Sequence, residues 1–169
     1  MSRSIVVRKA GPGDADGIAT VMQAVVAERR YSAIDRAWTA DQERRYLESL
    51  SGREVFHVAV ADSGLVVGCQ SLELYSTVLT TMAHVGQVGT FVLPSWRGRG
   101  VGAALFAVTR PFAIESGYRK LVITVRASNA AALSFYRGLG FVECGRLSKQ
   151  VEIDGVEDDE VLLEMFLDK

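Results

Sequence analysis

The chain has 169 residues and few of the side chains that build metal centres or covalent staples. It carries two cysteines, Cys69 and Cys144, and two histidines, His57 and His84. Neither cysteine belongs to a CxxC pair or a Cys/His cluster, so no metal site is expected. Two buried thiols in a reducing compartment is the plain reading. No charge dominates: 19 basic residues face 20 acidic ones, for a net charge of −1. That balance argues against general nucleic-acid binding, which needs a basic excess. No apolar run approaches the roughly 20 residues of a membrane helix. The opening "MSRSIVVRKAGPGD" lacks the apolar core of a signal peptide. A soluble cytoplasmic protein, without membrane or nucleic-acid partners, is expected. Repeats, linkers and low-complexity tracts are missing too, so residues 1–169 read as one domain. Hydrophobic residues make up 49% of the chain, enough for a sizeable core.

What is present alternates between strand-like and helix-like runs. "SIVVRKA" is β-rich and is broken by "GPGDAD". Asp14 is read as a helix cap, because Ile18, Val21, Met22, Val25 and Val26 recur at helical spacing down to about "AERRYS". "TADQERRYLESL" predicts a second, amphipathic helix capped by Thr39 or Asp41. "EVFHVAVADSGLVVGCQSLELYS" predicts a hairpin turning at "DSG", and "MAHVGQVGTFVLP" a strand closed by Pro94. A helix follows from about Gly98 to Ser116, then "YRKLVITVRA" as a central strand. "SNAAALSFYRGLG" is a helix opened by Ser128 or Asn129 and ended by glycine. The terminal "FVECGRLSKQVEIDGVEDDEVLLEMFL" is a long hairpin with "DG" at its turn. Its acidic cluster "VEDDE" reads as a solvated turn. This order makes an α/β fold with a mixed sheet.

The run "RGRGVGAAL", Arg97 to Leu105, is bare and basic where a helix begins. A helix start carries unpaired N–H groups and the positive end of the dipole, and glycines let an anion reach that backbone. A P-loop is excluded, since no Lys-Ser or Lys-Thr follows the glycines. The dinucleotide fingerprint fails as well: the glycine spacing is wrong, and Tyr118 and Arg119 stand where an acidic residue is needed. A third pattern, [Q/R]-x-x-G-x-[G/A] after Val-x-Pro, is complete from Val92-Leu93-Pro94 through Arg97-Gly98-Arg99-Gly100-Val101-Gly102.

With Asn129 opening the next helix, and Tyr136 seven residues on in "RASNAAALSFYRGLGF", this pattern resembles the GNAT superfamily of acyl-CoA-dependent N-acetyltransferases. The resemblance covers most of the chain and is strongest from His84 to Lys149. The tail, with Asp159 after the turn, is similar to the branch of bacterial amino-acid and ribosomal-protein acetyltransferases. The resemblance implies a GNAT fold. This is a single α/β domain with a mixed, mostly antiparallel twisted sheet flanked by helices and splayed between its two central parallel strands. It also implies acetyl-CoA as co-substrate, no metal, and a homodimer paired through terminal strands. The alternating "VLLEMFL" suits such pairing and equally suits a core strand.

The resemblance assigns roles. N–H groups from Gly98 through Val101 to Gly102 bind the CoA pyrophosphate, and Gly100 and Gly102 let the backbone approach. Arg97 and Arg99 add charge near the phosphates. The strand ending at Val92 pairs with pantetheine, and the N–H of Phe91 or Val92 points at the thioester oxygen. "LVITV", Leu121 to Val125, forms the other arm of the cleft. Asn129 bonds the pantetheine arm, caps its helix, or does both. Tyr136 protonates the leaving thiolate, or is a core aromatic of an amphipathic helix. Read without the resemblance, the glycine turn is a tight helix entry with surface arginines.

Superfamily members often carry a glutamate base six residues before the position of Val92, but here that residue is Gly86. His84 lies two residues earlier on the same strand face and, as a histidine, is one candidate base or relay. Glu73 on the neighbouring strand is a second, and a water chain a third. The acceptor pocket is expected between the N-terminal helices and the terminal hairpin. In "ERRYSAIDRAW", Arg29, Arg30 and Arg36 are read as ligands for an acceptor carboxylate, with Tyr31 and Trp38 lining it; the other reading is a solvated basic loop. The implied activity is acetyl transfer to a primary amine of a small molecule, an amino acid or an amine-bearing toxin or drug, by direct attack in a ternary complex. A protein N-terminal or lysine acetyltransferase is the alternative. A non-catalytic acyl-CoA-binding module is disfavoured by the presence of Tyr136 and Gly100.

Overall fold

The valine-rich runs pair and the amphipathic runs cover them. A computed structural model describes residues 4–167. Seven strands form one sheet in the order β1-β2-β3-β4-β5-β7-β6. In chain order these are β1 (Ile5–Lys9), α1 (Ala15–Ala27), α2 (Ala40–Ser49), β2 (Val55–Ala61), β3 (Val66–Leu74), β4 (Val85–Val92), α3 (Val101–Glu115), β5 (Lys120–Arg126), α4 (Ala130–Gly138), β6 (Val142–Ile153) and β7 (Val156–Phe166). All neighbours are antiparallel except β4 and β5.

Local chemistry sets the boundaries. Thr39 caps α2 with a capping box, accepting from Gln42 N while Gln42 reaches back to Thr39 N. Asn129 caps α4 by accepting from Ala132 N. The β6–β7 turn places Asp154 and Gly155 at φ 54° and 73°, the geometry a two-residue hairpin prefers. Asp14 departs from expectation. A short 3₁₀ turn, Pro12–Asp14, precedes α1, and the Asp14 carboxylate does not cap α1. It takes a bidentate bond from Arg8 and the N–H of Gly11 instead.

The sheet is covered on both faces. α1 packs Ile18, Val21 and Met22, and α2 packs Tyr46 and Leu47, against the cluster of Phe56, Val58 and Cys69. On the other face α3 and α4 bring Phe106, Leu133 and Tyr136 onto Val88, Leu121, Ile123 and Leu163. The side chains of β4 and β5 therefore divide by alternation. Val88, Thr90 and Ile123 look to the α3/α4 face; Gln87, Phe91, Thr124 and Arg126 look to the α1/α2 face. No helix among the described residues is long and apolar enough to cross a membrane.

Two expectations are corrected here. Cys69 is buried, but Cys144 is exposed, because β6 is an edge strand that no layer covers along most of its length. "VEDDE" is not a solvated turn. It forms the first half of β7, and Asp158 within it is largely buried.

Candidate active site

The parallel pair opens partway along. β4 and β5 are in register only from Val85–Lys120 to Gln87–Val122. Both strands then run on, to Val92 and Arg126, without pairing to each other. The gap forms a cavity of about 800 Å³ walled by Val88 to Val92 on one side and Ile123 to Arg126 on the other.

One end of the cavity is the glycine-rich turn. Gly98 and Gly100 adopt φ 69° and 79°, a region that strains other residues. A Cβ at either would meet nothing within 4 Å, so both present bare backbone. Ala104 N bonds Gly100 O, so the N–H groups ahead of it have no helix carbonyl to reach. Gly102 is tight for another reason: a Cβ there would stand 2.8 Å from the Phe135 ring. Gly98, Gly100, Val101 and Gly102 all line the cavity, as do Phe91 and Val92. Arg99 stacks over Trp96. Arg97 is committed elsewhere. It grips the Glu28 carboxylate through both terminal nitrogens at 2.6 and 2.9 Å, donates from Nε to Val92 O, and lies over Tyr31. Its charge is answered within the protein rather than held for a phosphate.

Tyr136 reaches the gap from α4. Its hydroxyl donates to Thr90 Oγ1 at 2.8 Å, and Gln70 Nε2 donates to the same oxygen at 2.8 Å. Both acceptor sites of Thr90 are thus used, leaving its own proton for a third partner. Gln70 is fully buried, and its Oε1 has no hydrogen-bond partner among the described residues. Burial pushes the Tyr136 phenol well above its usual range, against a smaller lowering by Thr90. It stays protonated at neutral pH and can donate.

The segment after α1 borders the cavity too, with Tyr31 beneath Arg97 of the turn. Asn129 Nδ2 donates to Tyr31 O, and Tyr31 to Ile34 line the cavity. Arg126 pairs with Asp158 at 2.9 Å, both largely buried, and Ser128 Oγ donates to the same carboxylate at 2.5 Å. Burial works against ionisation of Asp158, but the bonds from Ser128 and Arg126 outweigh it and hold the carboxyl below its ordinary range. Arg29 is bound to Asp154 in the hairpin turn. Arg30, Arg36 and Trp38 do not line the cavity, so the expected arginine cluster for a carboxylate is not assembled there.

The two candidate bases also lie elsewhere. His84 precedes β4, at the opposite end of the strand from Thr90, and lines a separate depression with Arg53, Thr80 and Arg119. Glu73 does look to the α1/α2 face, but its carboxylate accepts from the Tyr46 hydroxyl at 2.5 Å and does not line the cavity. Neither is placed to take a proton in the gap. Thr90, Gln70, Arg126 and Glu160 were not singled out by the sequence, yet three of them line the cavity and Gln70 holds one of those three. The period-2 pattern of β4 could have found Thr90, two residues before Val92.

Comparison with known proteins agrees with this geometry. Residues 21–141 match the acetyltransferase (GNAT) family. An aminoglycoside N(6')-acetyltransferase type 1 of Stenotrophomonas maltophilia is 33% identical over 105 residues, which span 59% of this chain and 68% of that protein. A Salmonella typhimurium protein solved with its cofactor acetyl-CoA superposes with a TM-score of 0.90 at 20% identity, covering 98% of this chain and 95% of that one. A ribosomal-protein-alanine N-acetyltransferase from Brucella melitensis superposes with a TM-score of 0.87 at 23% identity, covering 96% and 99%. The splayed parallel strands, the glycine turn at a helix start and the match over most of the chain agree, and the protein belongs to the acetyltransferase (GNAT) family of enzymes.

Proposed function

We propose that this chain, acting as one domain, moves an acetyl group from acetyl-CoA to the primary amine of a small molecule, by direct attack in a ternary complex. The observation that carries the reading is the β4–β5 gap with the Tyr136 hydroxyl held at its wall by Thr90. The kinship with an aminoglycoside acetyltransferase supports a small-molecule acceptor.

The residues fit CoA. The bare backbone at Gly98 and Gly100, at the positive end of the 15-residue α3, suits a pyrophosphate. Gly102, tight against Phe135, keeps α3 and α4 close enough for one ligand to touch both. Arg99 supplies charge near the phosphates, while Arg97, through Glu28, ties the end of α1 to the turn. The unpaired edge of β4 offers backbone groups to pantetheine, and the N–H of Phe91 or Val92 stabilises charge growing on the thioester oxygen. Asn129 holds the segment at Tyr31 over the arm. Tyr136 gives its proton to the departing sulfur.

The test is Tyr136→Phe. CoA affinity should hold within about twofold while kcat falls by about 10²–10⁴, the range for a lost general acid. Unchanged turnover removes Tyr136 from the scheme. Two copies would pair through β6, the exposed edge strand, and a monomer mass in light scattering would end that part of the reading.

A further inference from the structure

We infer that Glu160 is the group that holds the acceptor as its ammonium ion and takes its proton, and that the acceptor is a cationic amine rather than a carboxylate-bearing one. This rests on the acetyl-transfer reading above. It replaces the two bases that the geometry excludes.

Among the described residues that line the cavity, Glu160 is the one Asp or Glu. It sits on β7 opposite Arg126 of β5, on the α1/α2 face of the sheet. Three charged groups meet here. Asp158 lies two residues back on the same face, and Arg126 stands directly across. The Arg126 guanidinium turns to Asp158, not to Glu160. The Glu160 carboxylate makes no hydrogen bond or ion pair with any described residue. The other cation lining the cavity, Arg97, is held by Glu28. With both guanidiniums answered, Glu160 is the unbalanced charge among the described residues that line the cavity. A cationic amine complements it; a carboxylate would meet repulsion and no free cation.

The placement also suits the chemistry. Tyr136 comes to the gap from the α3/α4 face and Glu160 from the other. An amine adds to one face of the planar thioester, and in the tetrahedral intermediate nitrogen and sulfur are separate substituents, so the base on nitrogen and the acid on sulfur stand on different walls of the gap. Burial first, and Asp158 second, raise the Glu160 carboxyl above its ordinary range, which brings a proton acceptor closer to working pH. The step balances. Glu160 takes one proton from R–NH3+. The freed nitrogen pair forms the C–N bond, and the C–S bond breaks with its pair on sulfur. Tyr136 protonates that sulfur and recovers a proton from the new amide nitrogen, while Glu160 releases its own to solvent.

The experiment compares wild type with Glu160→Gln, using CoA thiol release from acetyl-CoA. The acceptors are kanamycin A, spermidine and 2-phenylethylamine, with phosphinothricin as the anionic comparator. The expected result is turnover of at least one cationic amine, with phosphinothricin poorer. For Glu160→Gln, kcat/KM on that amine falls about 100-fold at pH 7. The loss shrinks toward pH 10, where the amine arrives unprotonated, and CoA affinity stays at the wild-type value. That last reading shows that the variant is folded. Turnover within threefold of wild type at every pH overturns the role of Glu160. A preference for phosphinothricin overturns the cationic acceptor. If wild type binds CoA but acetylates no amine of the set, the small-molecule acetyl-transfer reading fails, and the assignment of Glu160 falls with it.

Discussion

Glu43 offers a sharp test of how the α1/α2 face is built. It lies on α2 but is only 4% exposed, and no partner among the described residues answers its carboxylate. Burial raises its pKa from an ordinary 4.5 to about 6. A raised folded-state pKa means that the unfolded chain ionises first. Glu43 therefore favours the fold fully below pH 4.5, and this contribution is lost as pH rises through 6. At pH 8, where both states are ionised, the gap corresponds to about 2 kcal/mol against folding. Glu43→Gln removes the charge and keeps the shape. For a chain of this size each kcal/mol moves Tm by about 2–4 °C, so the variant should melt about 4–8 °C above wild type at pH 8. The advantage should vanish near pH 4.5. His57 titrates over the same range: burial, helped by Lys9, lowers it to about 4, so both proteins lose stability as pH falls below 6.5. That loss is common to the pair and cancels in the difference. Differential scanning fluorimetry across pH 4.5–8 reads it directly. A constant Tm difference across that range would refute the reasoning, since only an ionising Glu43 makes the difference depend on pH.

Two further outcomes follow from the cavity walls. Gly100→Ala places a Cβ at φ 79°, costing about 1 kcal/mol of stability, and also covers bare backbone where the pyrophosphate is proposed to sit. CoA affinity measured by calorimetry should drop at least about tenfold, and unchanged affinity would move the phosphate site off this turn. Thr90→Val leaves the Tyr136 hydroxyl and the Gln70 amide without their shared partner, which should cost about 1–3 kcal/mol in urea unfolding. It should also lower kcat by about tenfold as the phenol loses its anchor, with KM for acetyl-CoA little changed. Equal kcat would mean that Thr90 serves the fold alone.

Much of the scaffold was legible because it depends on neighbours in sequence. A capping Thr39, an Asn129 before an apolar helix, and a "DG" between alternating runs each act within a few residues, and all formed as expected. The glycine turn was legible for the same reason. The misplacement of His84 is instructive. Period-2 alternation gives its face relative to Gly86, but not where along β4 the sheet opens. Pairing lasts until Gln87, and β4 begins only at Val85. A residue at position 84 therefore belongs to the closed end, and no local pattern says so.

Charge was the least legible property, because it is settled by partners far away in sequence. Arg97 looked like a phosphate ligand until Glu28, 69 residues earlier, took it. Arg29 looked like an acceptor ligand until Asp154, 125 residues later, took it. "VEDDE" looked like solvated surface, yet alternation along β7 splits it. Asp158 turns to Arg126, Asp159 turns outward to Arg146, and Glu160 is left facing the gap. Which charge a cleft keeps for its substrate is therefore a remainder, left after every internal pair has formed. A motif can name the cations that stand near a site, but only the fold decides which of them are spent. In this cleft the arginines are spent and a carboxylate remains, so the acceptor's charge should be read from Glu160 and not from the arginines of "ERRYSAIDRAW".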